Sequence, residues 1–350
     1  MKKRRFLLVA LLAAASSAIA AGCGGDDNTA APTTGSVAAP AGITLSDFCG
    51  PECQAALAIK ADPASIDCKV GLSWNGFNHP YGAATGKRTE EAQKALFPKM
   101  QLTISDGRGD STVQSNGIDD MLTKGLDVLI LSPADAKALA PAVKRATAAG
   151  TKVIASDRGV DAPVSTTIGA DNVDTGTVSG EYVVTASGGK GNIVELQGAL
   201  GASPTIDRHK GFVDAIAGTP GLKIIDSPTA NYNREEGRSV MEDMLQKYGK
   251  GEIQFVYTHN DEMSLGAIQA IKEAGRISEI KVVGIDAQQS ALEAVKAGDY
   301  AATIAYPINA SEHIAAAAML CAGETVPERI KLTATLVTKD NVAAVDGKTF

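Results

Sequence analysis

Apolar and polar positions fall into blocks along most of the chain. Short apolar runs the length of a buried strand, at 128–131, 153–155 and 281–285, alternate with longer segments whose apolar positions recur at helical spacing. The pattern predicts strands at 69–74, 102–105, 128–131, from Val153, and at 192–196, 222–226, 253–257, 281–285, 301–305 and 334–338. It predicts helices at 82–96, 111–124, 134–149, 173–186, 205–217, 234–248, 262–274, 289–297 and 310–321. Gly150, Gly275, Gly298 and Gly323 stand where these helices should stop. Strands that alternate with helices imply parallel sheets covered by helices on both faces, an α/β fold. One stretch, VIASDRGVDAPVSTTIGADN at 153–172, breaks the rhythm, because two strands follow each other there and the second ends at Ile168. Such a break is a place for the chain to leave one lobe and enter another.

Polar residues gather just after the predicted strands, where ligands bind in open α/β sheets. Trp74-Asn75 leads into Asn78-His79-Pro80-Tyr81, then come Ser132-Pro133, Asp157-Arg158, and Glu195-Leu196-Gln197-Gly198 followed by Asp207-Arg208. Tyr232, Asn260-Asp261-Glu262 and Asp286 continue the series in the second half. Seven such ends in order describe two facing walls of a cleft. Asp157 offers acceptors and Arg158 a fork of donors, a pair suited to vicinal hydroxyls, which both donate and accept. The bland alternative for Asp157-Arg158 is a surface ion pair, worth little. Asn260-Asp261 reads as a cap by Asp261 with Asn260 reaching the cleft. Glu195 reads as a structural acid, and His209, His259 and His313 as surface or supporting residues. The Gly-rich 188–191 lacks phosphate-loop spacing and reads as a turn.

The start of the chain adds an address. Lys2-Lys3-Arg4-Arg5, an apolar run at 6–20 and small residues before Cys23 read as a secretory signal peptide. The small residues before Cys23 resemble the lipobox of bacterial lipoproteins, departing from it at Ala20, where Leu is usual. Plain cleavage near Ala21 is the alternative. A Gly, Ala, Thr and Pro-rich stretch at 24–42 reads as a tether. The remaining ~300 residues suit two lobes. The formal net charge of −7 argues against nucleic acid as partner. Cys49, Cys53, Cys68 and Cys321 read as two disulfides of an exported chain, with three connectivities open. A metal site is disfavoured by their spacing and by the absence of a nearby His. The expected role of the cysteines is to pin the leader at 45–61 to the body.

Beyond these features the motifs VIASDRG, GADN, VELQGALGAS, DRHKGF, HNDEMSLGAIQAI, VVGID and YAATIAYP, matched in order from about Lys69 to Lys339, resemble the periplasmic sugar-binding proteins of the ribose-binding type. The resemblance implies two Rossmann-like lobes joined by three crossovers, near 169–171, 305–307 and 333–334, closing on a ligand. It divides the chain into a signal peptide (1–22), an anchor, tether and leader (23–67), a first lobe (68–170 with 306–333) and a second lobe (171–305 with 334–350). Matched residue by residue, Asp157, Arg158, Arg208, Asn260 and Asp286 keep the family's ligand-contact types. His79, Ser132, Tyr232 and Tyr306 depart from them. Asn75 and Tyr81 sit on the same wall, with Trp74 as the alternative ring.

The expected ligand is a monosaccharide or polyol. Aldopentose, hexose, deoxy-sugar, polyol and cyclitol remain open. The expected partners are the permease subunits of an ABC importer and, as a further option, a chemoreceptor or sensor kinase. Membrane contact is expected only through lipid at Cys23, and no metal or cofactor is expected. The competing class is a secreted sugar-active enzyme. The chain has no G-x-S-x-G and no H-E-x-x-H. An Asp157–Asp286 glycosidase pair is disfavoured because cleft arginines are expected to hold both as carboxylates. Sugar-responsive repressors share the fold but carry a DNA-binding segment where this chain has its export signal.

Overall fold

The computed structural model describes residues 45–350. The predicted signal peptide, Cys23 and the tether at 24–42 lie outside the described residues. The first five strands are β1 (Lys69–Trp74), β2 (Gln101–Asp106), β3 (Val128–Ser132), β4 (Lys152–Ser156) and β5 (Thr166–Gly169). Next come β6 (Gly191–Leu196), β7 (Leu222–Asp226), β8 (Phe255–Thr258), β9 (Lys281–Asp286) and β10 (Ala302–Ala305), and last β11 (Arg329–Lys331) and β12 (Thr335–Val337). They form two six-stranded sheets, ordered β11-β5-β4-β3-β1-β2 and β12-β10-β9-β8-β6-β7. All neighbours pair in parallel except β10 and β12. Parallel strands covered on both faces need apolar residues throughout, and β3 and β8 are buried at every position.

The chain crosses between the sheets three times: after β5, after β10, and between β11 and β12. Two α/β lobes result. The β11 strand eluded the sequence pattern, because three residues carry no periodicity. It exists through its pairing of Ile330 with Ile168. After β12 the chain does not end in a strand as expected. A short helix, Val342–Val345, follows, and the last residues touch the first lobe. Arg88 donates to the Thr349 carbonyl at 2.7 Å, and the Phe350 ring meets Tyr81 edge-on at 5.5 Å.

Helix starts follow local chemistry. The predicted helix at 134–149 begins only at Ala140, with proline in its first turn, where a missing N–H costs least. Ahead of it Asp135 accepts from the Lys137 and Ala138 amides, closing a turn. The helices Pro80–Leu96 and Ser203–Ile216 each begin two residues earlier than predicted, again with proline in the first turn.

The cysteines pair as Cys49–Cys53 and Cys68–Cys321. This corrects the expectation that they pin the leader to the body. One bridge closes a loop within the leader, and the other ties the start of β1 to the end of helix Ala310–Cys321. The leader is held instead by burial of Cys49, Cys53, Leu57 and Ile59 in the core and by hydrogen bonds. Ser46 N donates to buried Glu312 at 2.7 Å, Ala61 N to Glu324 at 2.9 Å, and Thr333 N to the Phe48 carbonyl at 2.9 Å.

Candidate functional site

The carboxyl ends of the strands face one another across the lobes, and the backbone there is strained. Asp157, next after β4, has φ 68, and Asp286, the last residue of β9, has φ 127. Asn231 and Tyr232 sit at φ 51 and 60 in the loop before helix Arg234–Lys247. Such conformations cost about 1–3 kcal/mol each in non-glycine residues and cluster at functional sites. Three of these side chains, Asp157, Tyr232 and Asp286, border one cavity of about 40 Å³. The first lobe also contributes His79, Tyr81 and Arg158, and the second contributes Pro204, Arg208 and Asn260. Tyr306 enters from the crossover that follows β10.

The Asp157 and Arg158 side chains are 7% and 11% exposed, so they are not a surface pair. Nor are they bonded to each other, with 3.8 Å at their closest N–O approach. Asp157 Oδ1 accepts from the hydroxyls of Tyr306 at 3.0 Å and Tyr81 at 3.3 Å. The Arg158 guanidinium lies 5.5 Å from the centre of the Tyr232 ring, and its buried Nε has no hydrogen-bond partner among the described residues. Arg208 donates from Nε to Asn172 Oδ1 at 2.8 Å and from Nη1 to the His259 carbonyl. Its guanidinium also stacks 4.7 Å from the centre of the Tyr306 ring. Burial alone would lower the Arg208 pKa, but the surrounding Tyr306, Tyr232, Asp286 and Asp157 outweigh it and raise it.

Burial pushes the Asp286 carboxyl well above the usual carboxylate range, and Arg208 offsets only part of that. This corrects the expectation that the arginines keep both acids ionised. Among the described residues no side chain or amide donates to the Asp286 carboxyl. His79 Nδ1 accepts from Gly82 N at 3.1 Å, which leaves the proton on Nε2. Burial and then Arg158 lower the His79 pKa to about 4, so the ring is neutral at neutral pH.

Of two expected wall residues, Ser132 stands behind the cavity and Asn75 beside it. Asn75 donates to Ser132 Oγ at 3.1 Å, and Ser132 Oγ donates to Asp157 Oδ2 at 3.4 Å. Asn75 borders an adjoining cavity of about 270 Å³ instead, and Ser132 is fully buried. Trp74 is fully buried against Tyr81 and His313, which removes it as a cavity ring.

Asn260 reaches the cavity as expected, but the cap falls on Asn260 and not on Asp261. Asn260 caps helix Asp261–Glu273 by accepting from Met263 N at 3.0 Å, and it lines the cavity as well. Asp261 is buried and accepts from Tyr300, Thr303 and Gln288 N, while burial raises its pKa to about 7. A short amide side chain can cap and still present its NH₂, whereas the buried carboxylate satisfies itself inside the lobe.

Glu195 is the structural acid expected and His259 takes the supporting reading, in a network beneath the second wall whose pairing the sequence did not show. Glu195 accepts from His259 Nε2 at 2.9 Å and from Ser227, and His259 Nδ1 accepts from Gly198 N at 3.3 Å. His259 and His313 are fully buried, so the surface reading fails for both. The Tyr232 ring lies on the Gly198 backbone, where a Cβ would stand 2.0 Å from Cζ. The Tyr232 hydroxyl is paired with Thr205 Oγ1 at 2.8 Å. Gly198 was visible in the sequence as a strand-end glycine, but nothing there tied it to Tyr232.

The lips of the lobes touch. Ala136 N donates to the Gly201 carbonyl at 3.2 Å, and Gly159 N donates to Ser203 Oγ at 2.8 Å. The lobes are therefore in direct contact at their lips, and both border the cavity. Among the described residues no group of three or more His, Cys, Asp or Glu side chains is placed to hold a metal ion.

A family model described as "Periplasmic binding protein domain" matches residues 70–324. The ribose import binding protein of Bacillus subtilis is 32% identical over 237 residues, 67% of this chain and 75% of the relative. The xylitol-binding protein of Mycolicibacterium smegmatis is 34% identical over 246 residues, 69% of this chain and 70% of the relative. The fructose-binding periplasmic domain of a hybrid two-component system superposes with a TM-score of 0.76 at 30% identity, covering 79% of this chain and 93% of that one. These relatives and this fold are those of solute-binding proteins, not enzymes. With a family model across most of both lobes and relatives aligned over two thirds of its length, this chain belongs to the type I periplasmic sugar-binding protein family.

Proposed function

We propose that this chain is the solute-binding subunit of an ABC importer, which captures a monosaccharide or polyol between its lobes and delivers it to a membrane permease. The observation that carries the reading is the single cavity bordered from both lobes by Asp157, Arg158, Arg208, Asn260 and Asp286 beside tyrosine rings. Planar polar groups take paired hydroxyls, and ring faces take C–H patches. A ligand held from both sides interacts fully only when the lobes are closed, so its binding energy drives closure. The similarity to ribose and xylitol binders supports the same ligand class.

The signal peptide and the lipobox-like Cys23 complete the proposal, placing the mature chain at the outer face of the membrane on a lipid anchor. Exchange of Cys23 for Ser then releases the protein into the soluble fraction, and a wild-type chain already soluble removes the anchor.

The test of binding is a thermal-shift screen against sugars and polyols, because a ligand stabilises by mass action, followed by calorimetry. Asp157→Ala or Arg158→Ala should nearly abolish binding while the protein stays folded. An unchanged affinity in both variants excludes this cavity as the site, and a sugar returned chemically altered excludes a binder. The second reading, a sensor subunit, is favoured by the likeness to a sensor's periplasmic domain. Ligand-dependent stimulation of ATP hydrolysis by the reconstituted permease distinguishes the importer from it.

A further inference from the structure

We propose that Tyr306 sets the size of the ligand, and that the site takes a short open-chain polyol of about three to five carbons in preference to a hexopyranose or a cyclitol. The inference rests on the solute-binding reading above and narrows it.

Tyr306 is 1% exposed and is held on every side. Its hydroxyl donates to Asp157 Oδ1 at 3.0 Å, one face carries the Arg208 guanidinium at 4.7 Å, and Tyr81 packs against it at 5.8 Å, T-shaped. Tyr81 is fixed in turn by the Pro307 carbonyl at 3.0 Å and the Phe350 ring at 5.5 Å. A phenol clamped by an acid, a cation and a second ring does not swing aside to admit a larger guest. Moving it breaks a charge-assisted hydrogen bond and a cation–π contact at once.

Two consequences follow for the guest. The first is room. The space that Tyr306 borders is about 40 Å³, and the adjoining cavities of about 270 and 300 Å³, which share Arg158 with it, are not bordered by Tyr306. The lips already touch at Ala136–Gly201 and Gly159–Ser203, so a wider guest must break those contacts to be enclosed.

The second consequence is valence. Asp157 Oδ1 accepts from Tyr306, while the single Tyr81 proton is shared between that oxygen at 3.3 Å and the nearer Pro307 carbonyl at 3.0 Å; Oδ2 accepts from Ser132 at 3.4 Å and keeps one acceptor position for a guest. Further open groups are the Arg158 Nε and His79 Nε2 donors on the first lobe and the Asp286 carboxyl on the second. A flexible chain of hydroxyls can run between these points through a narrow space. A rigid six-membered ring presents its hydroxyls around a wider equator and needs more of Asp157.

The test is calorimetry of the full chain with glycerol, erythritol, xylitol, D-ribose, D-glucose and myo-inositol, on wild type, Tyr306→Ala and Tyr306→Phe, with melting curves to confirm folding. Wild type should bind one of the three open-chain polyols at least about tenfold more tightly than D-glucose or myo-inositol. Tyr306→Ala should cut that ratio by about tenfold. Tyr306→Phe, which keeps the ring and frees Asp157 Oδ1, should keep the size ratio while altering affinity. Wild-type binding of D-glucose or myo-inositol as tight as that of any polyol overturns the proposal alone and leaves the solute-binding reading standing. So does an unchanged ranking in a folded Tyr306→Ala. Binding of none of the six overturns the proposal together with the sugar or polyol reading. If the alanine variant fails to fold, the wild-type ranking and the phenylalanine variant still decide.

Discussion

The backbone N–H of Gly159, on the first lobe, donates to the hydroxyl of Ser203, on the second, across 2.8 Å. Together with Ala136 N to the Gly201 carbonyl, it forms a contact between the lips that involves none of the cavity side chains. The closed form therefore has a stabilisation of its own. Any change at the lips should alter affinity through the closing equilibrium rather than through the site.

Gly201 is the sharpest place to test this. It sits at φ 84, and a Cβ there would lie 2.0 Å from Asp135 Oδ2 of the opposite lobe. Exchange for alanine should weaken binding by about tenfold or more and reduce the ligand-induced fall in radius of gyration seen by X-ray scattering. Ser203→Ala removes one interlobe hydrogen bond, worth about 0.5–1.5 kcal/mol, and should give the milder loss. If both variants compact and bind as wild type does, the lips play no part in closure.

The Tyr232 ring rests on Gly198 where a Cβ would meet Cζ at 2.0 Å. Gly198→Ala should displace the ring and raise the dissociation constant by about tenfold or more, with little change in the melting of the unliganded protein. Tyr232→Ala alone should also weaken binding. The double variant should be no worse than Tyr232→Ala, since the alanine then has nothing to displace. Additive losses in calorimetry argue against the positioning role.

His313 is fully buried between Thr89 Oγ1 at 2.8 Å and Ser156 Oγ at 3.0 Å. Burial lowers its pKa from 6.5 to about 3, so the folded ring stays neutral over a range where the unfolded one takes up a proton. A group with a depressed folded pKa binds more protons when unfolded. Its share of stability is complete above 6.5 and is lost as pH falls from 6.5 towards 3, by at most ~1.4 kcal/mol per pH unit. His313→Gln should be less stable than wild type at pH 7, and the gap should narrow as pH falls through that window. A gap in denaturant unfolding that stays constant with pH refutes the assignment.

The two disulfides should contribute unequally. Cys68–Cys321 joins positions 253 apart, whereas Cys49–Cys53 joins positions 4 apart. In the chain-entropy view a longer closed loop removes more freedom from the unfolded state. Paired Cys68→Ser and Cys321→Ser changes should cost about 2–5 kcal/mol, and the Cys49 and Cys53 pair markedly less. Thermal melts showing equal losses contradict this.

Much of the architecture was determined by the sequence alone. Strands buried on both faces must be apolar runs, helices must be capped and stopped, and polar residues left at strand ends must face a cleft. That is why the βα order, the double strand at 153–168 and the series from His79 to Asp286 could be read without coordinates. What the tertiary structure decided lies between residues far apart in the chain. β11 is a strand only because β5 is there to pair with it. Ser132 stands behind the wall, bonded to Asn75 on one side and to Asp157 on the other. Asp261 turned inward because Tyr300 and Thr303, 39 and 42 positions away, meet its carboxylate. Tyr306 reaches Asp157 across 149 residues. Local pattern records what a residue needs from water and from its own element, whereas these contacts depend on which distant groups the packed lobes bring within hydrogen-bond reach.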